Sequence, residues 1–251
     1  MISQSKIKLI KSLWLKKFRD ETHLFIAEGT KLVLDLLPVF HCSILVATRE
    51  WLVDNKGITA TEIVEIEARE FTKISNQKSQ QGVLAVFKKP ESAWKAEDIT
   101  DKLTLALDDI QDPGNLGTII RIADWFGISD VFCSEQTADA YNPKTVQATM
   151  GALARVRVHV VNLPEFLKSS PSNEPIYGTF MDGENIYSKS LSRHGIIVMG
   201  NEGNGISGEI ETLVTDRLLI PNYPAGRDTS ESLNVGVATA LVCAEFRRRE
   251  Q

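Results

Sequence analysis

The stretch LTLALDDIQDPGNLGTIIRIADWFG, residues 103–127, decides the fold. A short strand-like run ends in Asp-Pro-Gly-Asn turn chemistry, and a helix follows with Leu116, Ile119, Ile120, Ala123 and Phe126 on one apolar face. Further along, DVFC, ARVRVHV, PIYGTF, GIIVMG and RLLI read as strands, most of them followed by a helical segment or a Gly-rich turn. Strand and helix alternating in this way predict an α/β domain with a mostly parallel sheet and covered faces. Ligands then collect at the carboxyl ends of the strands, so the loops there should hold the chemistry.

Upstream, helices near Lys6–Arg19 and Thr30–Leu37 lead to strand-like CSILVA, EIVEI and GVLAVF, which predicts a second, small α/β domain over residues 1–90. The segment KKPESAWKAEDITDK, residues 88–102, combines proline and charge with little apolar periodicity. A linker is therefore expected at 91–102 and a larger domain over 103–251.

With 251 residues, 43% of them hydrophobic and 24% charged, the chain can bury an ordinary core, which excludes a fibre or a disordered tail. No apolar stretch approaches the roughly 20 residues that cross a bilayer, and a cytoplasmic protein with no membrane role is expected. Cys42, Cys133 and Cys243 lie far apart, and His23, His41, His159 and His194 are equally scattered. Without a CxxC or a close His pair, neither redox chemistry nor a metal is expected.

The net charge of −5 is unevenly spread: residues 1–90 hold 14 Lys and Arg against 10 Asp and Glu, and the remainder 14 against 23. Lys6, Lys8, Lys11, Lys16, Lys17 and Arg19 precede the first acidic residue and mix with Ile7, Ile10, Leu13, Trp14 and Phe18 at helical spacing. This basic amphipathic helix is a candidate RNA-contacting surface, with a solvated face or a membrane-surface helix as the alternatives.

Three loops stand out. In the first, Asn115 sits where a helix N-cap belongs, and Arg121 near the helix start suits phosphate binding or a surface ion pair. The second, IIVMGNEGNGIS at 196–207, runs from a strand through Gly200, Gly203 and Gly205 to a helix begun by Ser207, and carries Glu202. Its glycines fall as GxxGxG, so the resemblance to a dinucleotide fingerprint is loose and a dehydrogenase reading is weak. The third, LLIPNYPAGRDTSESLNVGVATALVCAEFRRR at 218–249, ends in a helix that Ser230 or Ser232 could cap, with Arg247–Arg249 at the carboxyl end complementing its dipole.

Taken in order, NLGTIIRIADWFG, GNEGNGIS and SLNV resemble the three motifs of the SpoU/TrmH RNA ribose methyltransferases of the SPOUT class. The match spans about residues 103–248, and FIAEGTKLVLDLL with QGVLAVF resembles the α/β RNA-binding domain that many members carry. The resemblance implies a carboxyl-terminal trefoil knot, a homodimer whose site is completed across a two-fold interface, and S-adenosyl-L-methionine as cofactor. It also implies methylation of a ribose 2′-hydroxyl in rRNA or tRNA.

Residue by residue, Gly200, Ile220 and Leu233 carry over as cofactor contacts, with Thr179 a weaker addition, and Arg121, Asn115, Glu202, Ser232 and Asn234 as the catalytic set. In that set Arg121 holds the substrate phosphate and Glu202 orients Arg121. Two departures from the family pattern are PNYPAGRDTSE, which lengthens the third loop, and Gly236, where many members carry Ser. They motivate an alternative, an RNA-binding protein that kept the fold and lost turnover.

Overall fold

The computed structural model describes residues 2–91, 93–95, 99–171, 174–224, 227 and 232–248, and divides into two compact units. The front unit takes residues 1–91 together with 139–154, and the second takes 92–138 and 155–251. No described helix is long and apolar enough to cross a membrane.

The front unit runs α1 (Gln4–Ser12), α2 (Lys16–Thr22), β1 (Leu24–Glu28), α3 (Thr30–Leu36), β2 (Cys42–Thr48), α4 (Arg49–Asp54), β3 (Glu62–Ile66), α5 (Ala68–Phe71) and β4 (Val83–Lys88). Its sheet has the order β1-β4-β2-β3, antiparallel except for β2 with β3. Ile7, Ile10 and Leu13 bury the apolar side of α1 against Ile26, Val46, Leu84 and Val86 of the sheet. The single helix expected over Lys6–Arg19 is thus two, broken after Ser12. The break has a physical cause: Arg19, only 1% exposed, turns inward and its Nη1 donates to Leu13 O at 2.9 Å, satisfying a carbonyl that the end of α1 leaves open.

Residues 139–154 fall by sequence within the second domain, yet they pack in the front unit. Asp139 accepts from Arg19 at 2.7 Å, the Tyr141 ring lies 4.9 Å from Phe25, and Gln147 Oε1 accepts from Gln77 at 2.9 Å. Within this segment come α7 (Pro143–Thr149) and a 3-10 turn at Ala152–Ala154.

The second unit holds β5 (Leu103–Leu107), α6 (Pro113–Trp125), β6 (Asp130–Cys133), β7 (Arg157–Val160), α8 (Leu163–Ser169), β8 (Ile176–Asn185), β9 (Gly195–Met199), α9 (Gly208–Glu211), β10 (Asp216–Leu219) and α10 (Val235–Arg248). All six strands pair in parallel, in the order β10-β8-β9-β5-β6-β7. Every residue of β5, β6 and β9 is buried, as a parallel sheet covered on both faces requires. Helix α10 packs on α6, so the last element returns to the first loop of this unit.

The three cysteines are free and buried, and burial pushes the thiols up, to about 11 for Cys42 and about 12 for Cys133 and Cys243. These are packed apolar groups with almost no thiolate at neutral pH.

Candidate active site

Strand β5 ends at Leu107, and the chain turns through Asp108 and Asp109 toward α6. Asp108 is buried; its amide donates to Met199 O at 2.9 Å and its Oδ2 accepts from Ser207 N at 2.7 Å, which ties the first loop to both ends of the second. The N-cap of α6 is Asp112, whose side chain accepts from Asn115 N at 2.9 Å, with Pro113 at the first helical position. The cap expected at Asn115 is therefore corrected. Relieved of capping, the Asn115 side chain donates from Nδ2 to Glu202 Oε1 at 2.6 Å.

The second loop follows β9. Asn201 and Gly205 exchange backbone bonds at 2.9 Å each, and Gly205 adopts φ +71°. At Gly200 a Cβ would lie 2.3 Å from the Gly205 carbonyl carbon and 2.4 Å from Ile206 N, so only glycine lets the loop fold back on itself. The acid in this loop, Glu202, is half-buried and held by Asn115.

In the third loop Asn234, and not Ser232, caps α10. Its Oδ1 accepts from Gly236 N at 3.0 Å and Val237 N at 3.3 Å, while its Nδ2 donates to Asn115 Oδ1 at 3.0 Å. Ser232 is exposed without a side-chain partner among the described residues, and Ser230 and Arg249 lie outside them. At Gly236 a Cβ would come within 3.2 Å of both Asn234 Oδ1 and Thr118 Cγ2, so glycine here leaves room for the cap to close.

Asn115, Glu202 and Asn234 thus form one hydrogen-bonded group across the three loops. Arg121 does not join it. It is exposed on α6, with no partner among the described residues, and the expected bond from Glu202 is replaced by the bond to Asn115. Of the residues carried over as cofactor contacts, Gly200 sits at the carboxyl end of β9 and half-buried Ile220 directly follows β10. Leu233, 48% exposed, lies two residues before α10, and half-buried Thr179 lies one residue past the last β8–β9 pair. All four therefore stand at the carboxyl edge of the sheet or in the loop before α10.

The basic surface is smaller than its sequence. Lys6 pairs with Glu62 at 3.0 Å, Lys16 with Asp20 at 3.0 Å and Lys17 with Glu21 at 3.8 Å. The two i,i+4 pairs of Lys16 and Lys17 are exposed and weak, about 0.3–0.5 kcal/mol, and yield readily to a phosphate, while Lys6 is half-buried in its pair. Lys8 and Lys11 are exposed without partners among the described residues. Arg19 is buried in an ion pair and is corrected from an RNA contact to a structural residue.

Sequence reasoning missed Asp108, Asp112 and Asn201, each a short polar side chain in a turn-rich loop, the residue type that bonds to nearby backbone. It also did not foresee the grouping of Asp101, Glu174 and His194 just before β5, β8 and β9. There Glu174 Oε1 accepts from Asp101 N at 2.9 Å and Oε2 pairs with His194 Nδ1 at 2.6 Å, bonds that already account for it as a fastening of three strand starts. A cavity of about 750 Å³ in the front unit, between Arg49, Glu65 and Lys73, is lined mostly by charged side chains of both signs, with Ile66 and Ala68 among them, and holds none of the three loops.

Residues 102–244 match the SpoU rRNA Methylase family, and residues 4–85 match the MRM3-like substrate binding domain. The chain is 31% identical over 246 residues to the 23S rRNA (guanosine(2553)-2′-O)-methyltransferase RlmP of Bacillus subtilis, covering 96% of each protein. Among solved structures it is similar to a putative RNA methyltransferase of the TrmH family from Porphyromonas gingivalis, with 42% identity, 99% of each chain covered and a TM-score of 0.90. It is also similar to the AdoMet-bound rRNA methyltransferase from Sinorhizobium meliloti, with 28% identity, 100% and 98% coverage and a TM-score of 0.86. With both segments matched and the three loops bonded to one another at the carboxyl edge of a parallel sheet, the chain belongs to the SpoU rRNA methylase family.

Proposed function

We propose that this S-adenosyl-L-methionine-dependent RNA 2′-O-methyltransferase acts on ribosomal RNA, at the ribose of a guanosine. The observation that carries the choice of rRNA is the similarity to RlmP along nearly the whole length, front unit included. The front unit would grip RNA through Lys8 and Lys11, with Lys6, Lys16 and Lys17 released from their pairs, and affinity would fall as salt rises.

The turn at Gly200–Gly205, folded so tightly that no Cβ fits at Gly200, offers main-chain groups to a ligand, and half-buried Ile220 after β10 and exposed Leu233 before α10 offer apolar surface. Gly200, Ile220 and Leu233, with Thr179, would hold the cofactor. When bound, it supplies an activated methyl group on a sulfonium sulfur.

The ribose hydroxyl is a poor nucleophile at pH 7, so positioning and charge stabilisation carry the reaction. Arg121 would hold the phosphate beside the target ribose and stabilise the alkoxide developing at O2′. It acts through its charge and its donors, and not as the base. Glu202 would fix the Asn115 amide instead of Arg121, and Asn115, Asn234 and Ser232 would hydrogen-bond the ribose or its phosphate.

A homodimer belongs to this reading. Leu233, Val237 and Leu241 recur every four residues and are 48%, 51% and 37% exposed, and Trp125 on α6 is 84% exposed. Such a stripe suits a two-fold, self-complementary contact close to Arg121. The reading also includes a trefoil knot, supported by the return of α10 to α6, where Arg247 donates to Phe126 O at 2.8 Å, and a cytoplasmic setting, which suits three unpaired thiols.

Mapping ribose methylation on total RNA from cells with and without the gene tests the substrate: one rRNA ribose should lose its methyl group, and an unchanged rRNA map refutes the choice. With purified protein, Arg121→Ala should abolish methyl transfer while calorimetry still finds cofactor binding. Loss of both would make Arg121 structural.

A further inference from the structure

Asn234 acts in two directions: its Oδ1 gathers the first amides of α10, and its Nδ2 reaches across to Asn115 on the neighbouring loop. Asn201 repeats this arrangement in the second loop. Its Oδ1 accepts from Gly203 N at 2.8 Å and Asn204 N at 3.1 Å, closing the turn, and its Nδ2 donates to Asp109 O at 2.8 Å on the first loop. Asp109 is itself fixed, in a left-handed conformation with φ +57°, by its amide bond to Ser134 Oγ at 2.9 Å. A continuous series of bonds therefore runs from Ser134 after β6, through Asp109, to Asn201 in the second loop.

We infer that Asn201 is a positioning residue for the methyl-transfer site: it sets the height of the Gly200–Gly205 loop over the first loop, and with it the place of the Glu202 carboxylate against Asn115. The inference rests on the active-site reading above. Asn201 touches neither Glu202's carboxylate nor Asn115 through its side chain, so its effect passes through the loop backbone. Both halves of the amide are needed. An aspartate would keep the acceptor for Gly203 and Asn204 but set a carboxylate oxygen against the Asp109 carbonyl, replacing attraction with repulsion.

The test uses full-length Asn201→Ala and Asn201→Asp, with Asn204→Ala as control, since Asn204 contributes only its backbone amide. Calorimetry measures the affinity for S-adenosyl-L-methionine without RNA; steady-state kinetics separate KM for the cofactor from kcat; urea unfolding reports global stability. Loss of all three side-chain bonds in Asn201→Ala, and exchange of the Asp109 bond for a repulsion in Asn201→Asp, predict cofactor affinity weakened about tenfold or more in both variants. KM should rise in step and kcat should fall as Glu202 and Asn115 part, while the unfolding midpoint stays near wild type because the loop opens locally. Asn204→Ala should match wild type throughout. The inference is overturned if Asn201→Ala keeps wild-type affinity and kcat, if Asn201→Asp restores both, or if all losses scale with a lowered folded fraction. A wild-type protein that binds the cofactor but leaves rRNA unmethylated would sink the substrate reading alone, because the affinity comparison needs no RNA.

Discussion

Replacing Arg19 with alanine removes the Nε and Nη2 bonds to Asp139 Oδ2, at 2.8 and 2.7 Å, and the Nη1 bond to Leu13 O. The side chain is 1% exposed and its partner's 10%, so the aspartate would be left as a nearly buried charge with, among the described residues, only the Tyr141 amide to satisfy it. Breaking a buried pair in this way costs about 3–5 kcal/mol, a large share of the roughly 5–15 kcal/mol that holds a domain folded. At a urea m-value of about 1–3 kcal/mol/M, the midpoint should drop by about 1 M or more, read by fluorescence of Trp14 and Trp51 in the front unit. Arg19→Met with Asp139→Leu should recover most of the loss, since removing both charges removes the orphan. The slope of log affinity for RNA against log salt should not change. Lys8→Ala and Lys11→Ala should do the reverse, leaving the midpoint alone and lowering that slope by about 0.7–0.9 per lost phosphate contact. An Arg19→Ala protein with a wild-type midpoint and a shallower salt slope would refute the burial argument and return Arg19 to the RNA surface.

Two further outcomes follow from the second unit. Leu241→Glu would set like charges face to face across a two-fold contact, so light scattering should find a monomer and methyl transfer should fall at least about a hundredfold; an active dimer would place the interface elsewhere. At Asp130, burial pushes the carboxyl up, but bonds from His159, Arg157 and Ser129 outweigh it and hold it well below its ordinary value. Its stabilising contribution is therefore complete above the unfolded value near about pH 4 and drains away as pH falls through the folded one. Asp130→Asn should lower the urea midpoint at pH 7 and narrow the gap between pH 7 and pH 3; an unchanged gap would assign the acid sensitivity to other carboxylates.

Strands β5, β6 and β9 were legible because each is a short buried apolar run bounded by turn residues, and a parallel sheet covered on both faces needs nothing more, whereas β8 runs past its apolar start to Asn185 through largely exposed residues. Strand β1 was not. Leu24–Glu28 is five residues without alternation, buried from Phe25 onward, and such a run cannot be told from a helix segment by period alone. The break between α1 and α2 escaped for a different reason: apolar periodicity continues through both helices, while Arg19 finds its partner 120 residues away. The same distance hides the membership of residues 139–154 in the front unit, because they lie in sequence between β6 and β7 of the other sheet. At the site, residue type was legible and assignment was not. Asp112 and Asn115 are both good N-caps, and the deciding clue was Pro113, which favours the first helical position and so points to the residue before it.

Arg19 and Arg121, the two arginines given a role toward RNA from sequence, show how charge is misread and how it is put to use. Arg155, Arg157, Arg217 and Arg248 in the second unit each meet a carboxylate, and Arg19 in the front unit meets one in a buried setting. Only Arg19 among these is buried in its pair, and a guanidinium so buried is closed to RNA phosphate. Glu202, the acid of the motif set, bonds through Oε1 to Asn115, and the Arg121 cation is exposed without a carboxylate partner among the described residues. An electrostatic role in the proposed reaction needs that condition, because an internal counter-ion would compete with the substrate phosphate for the same five donors. The amide of Asn115 joins the three loops, donating to Glu202 and accepting from Asn234. Asn115→Ala removes both bonds, so methyl transfer measured in a single turnover should fall even where the urea midpoint stays near wild type; unchanged transfer would refute the linkage.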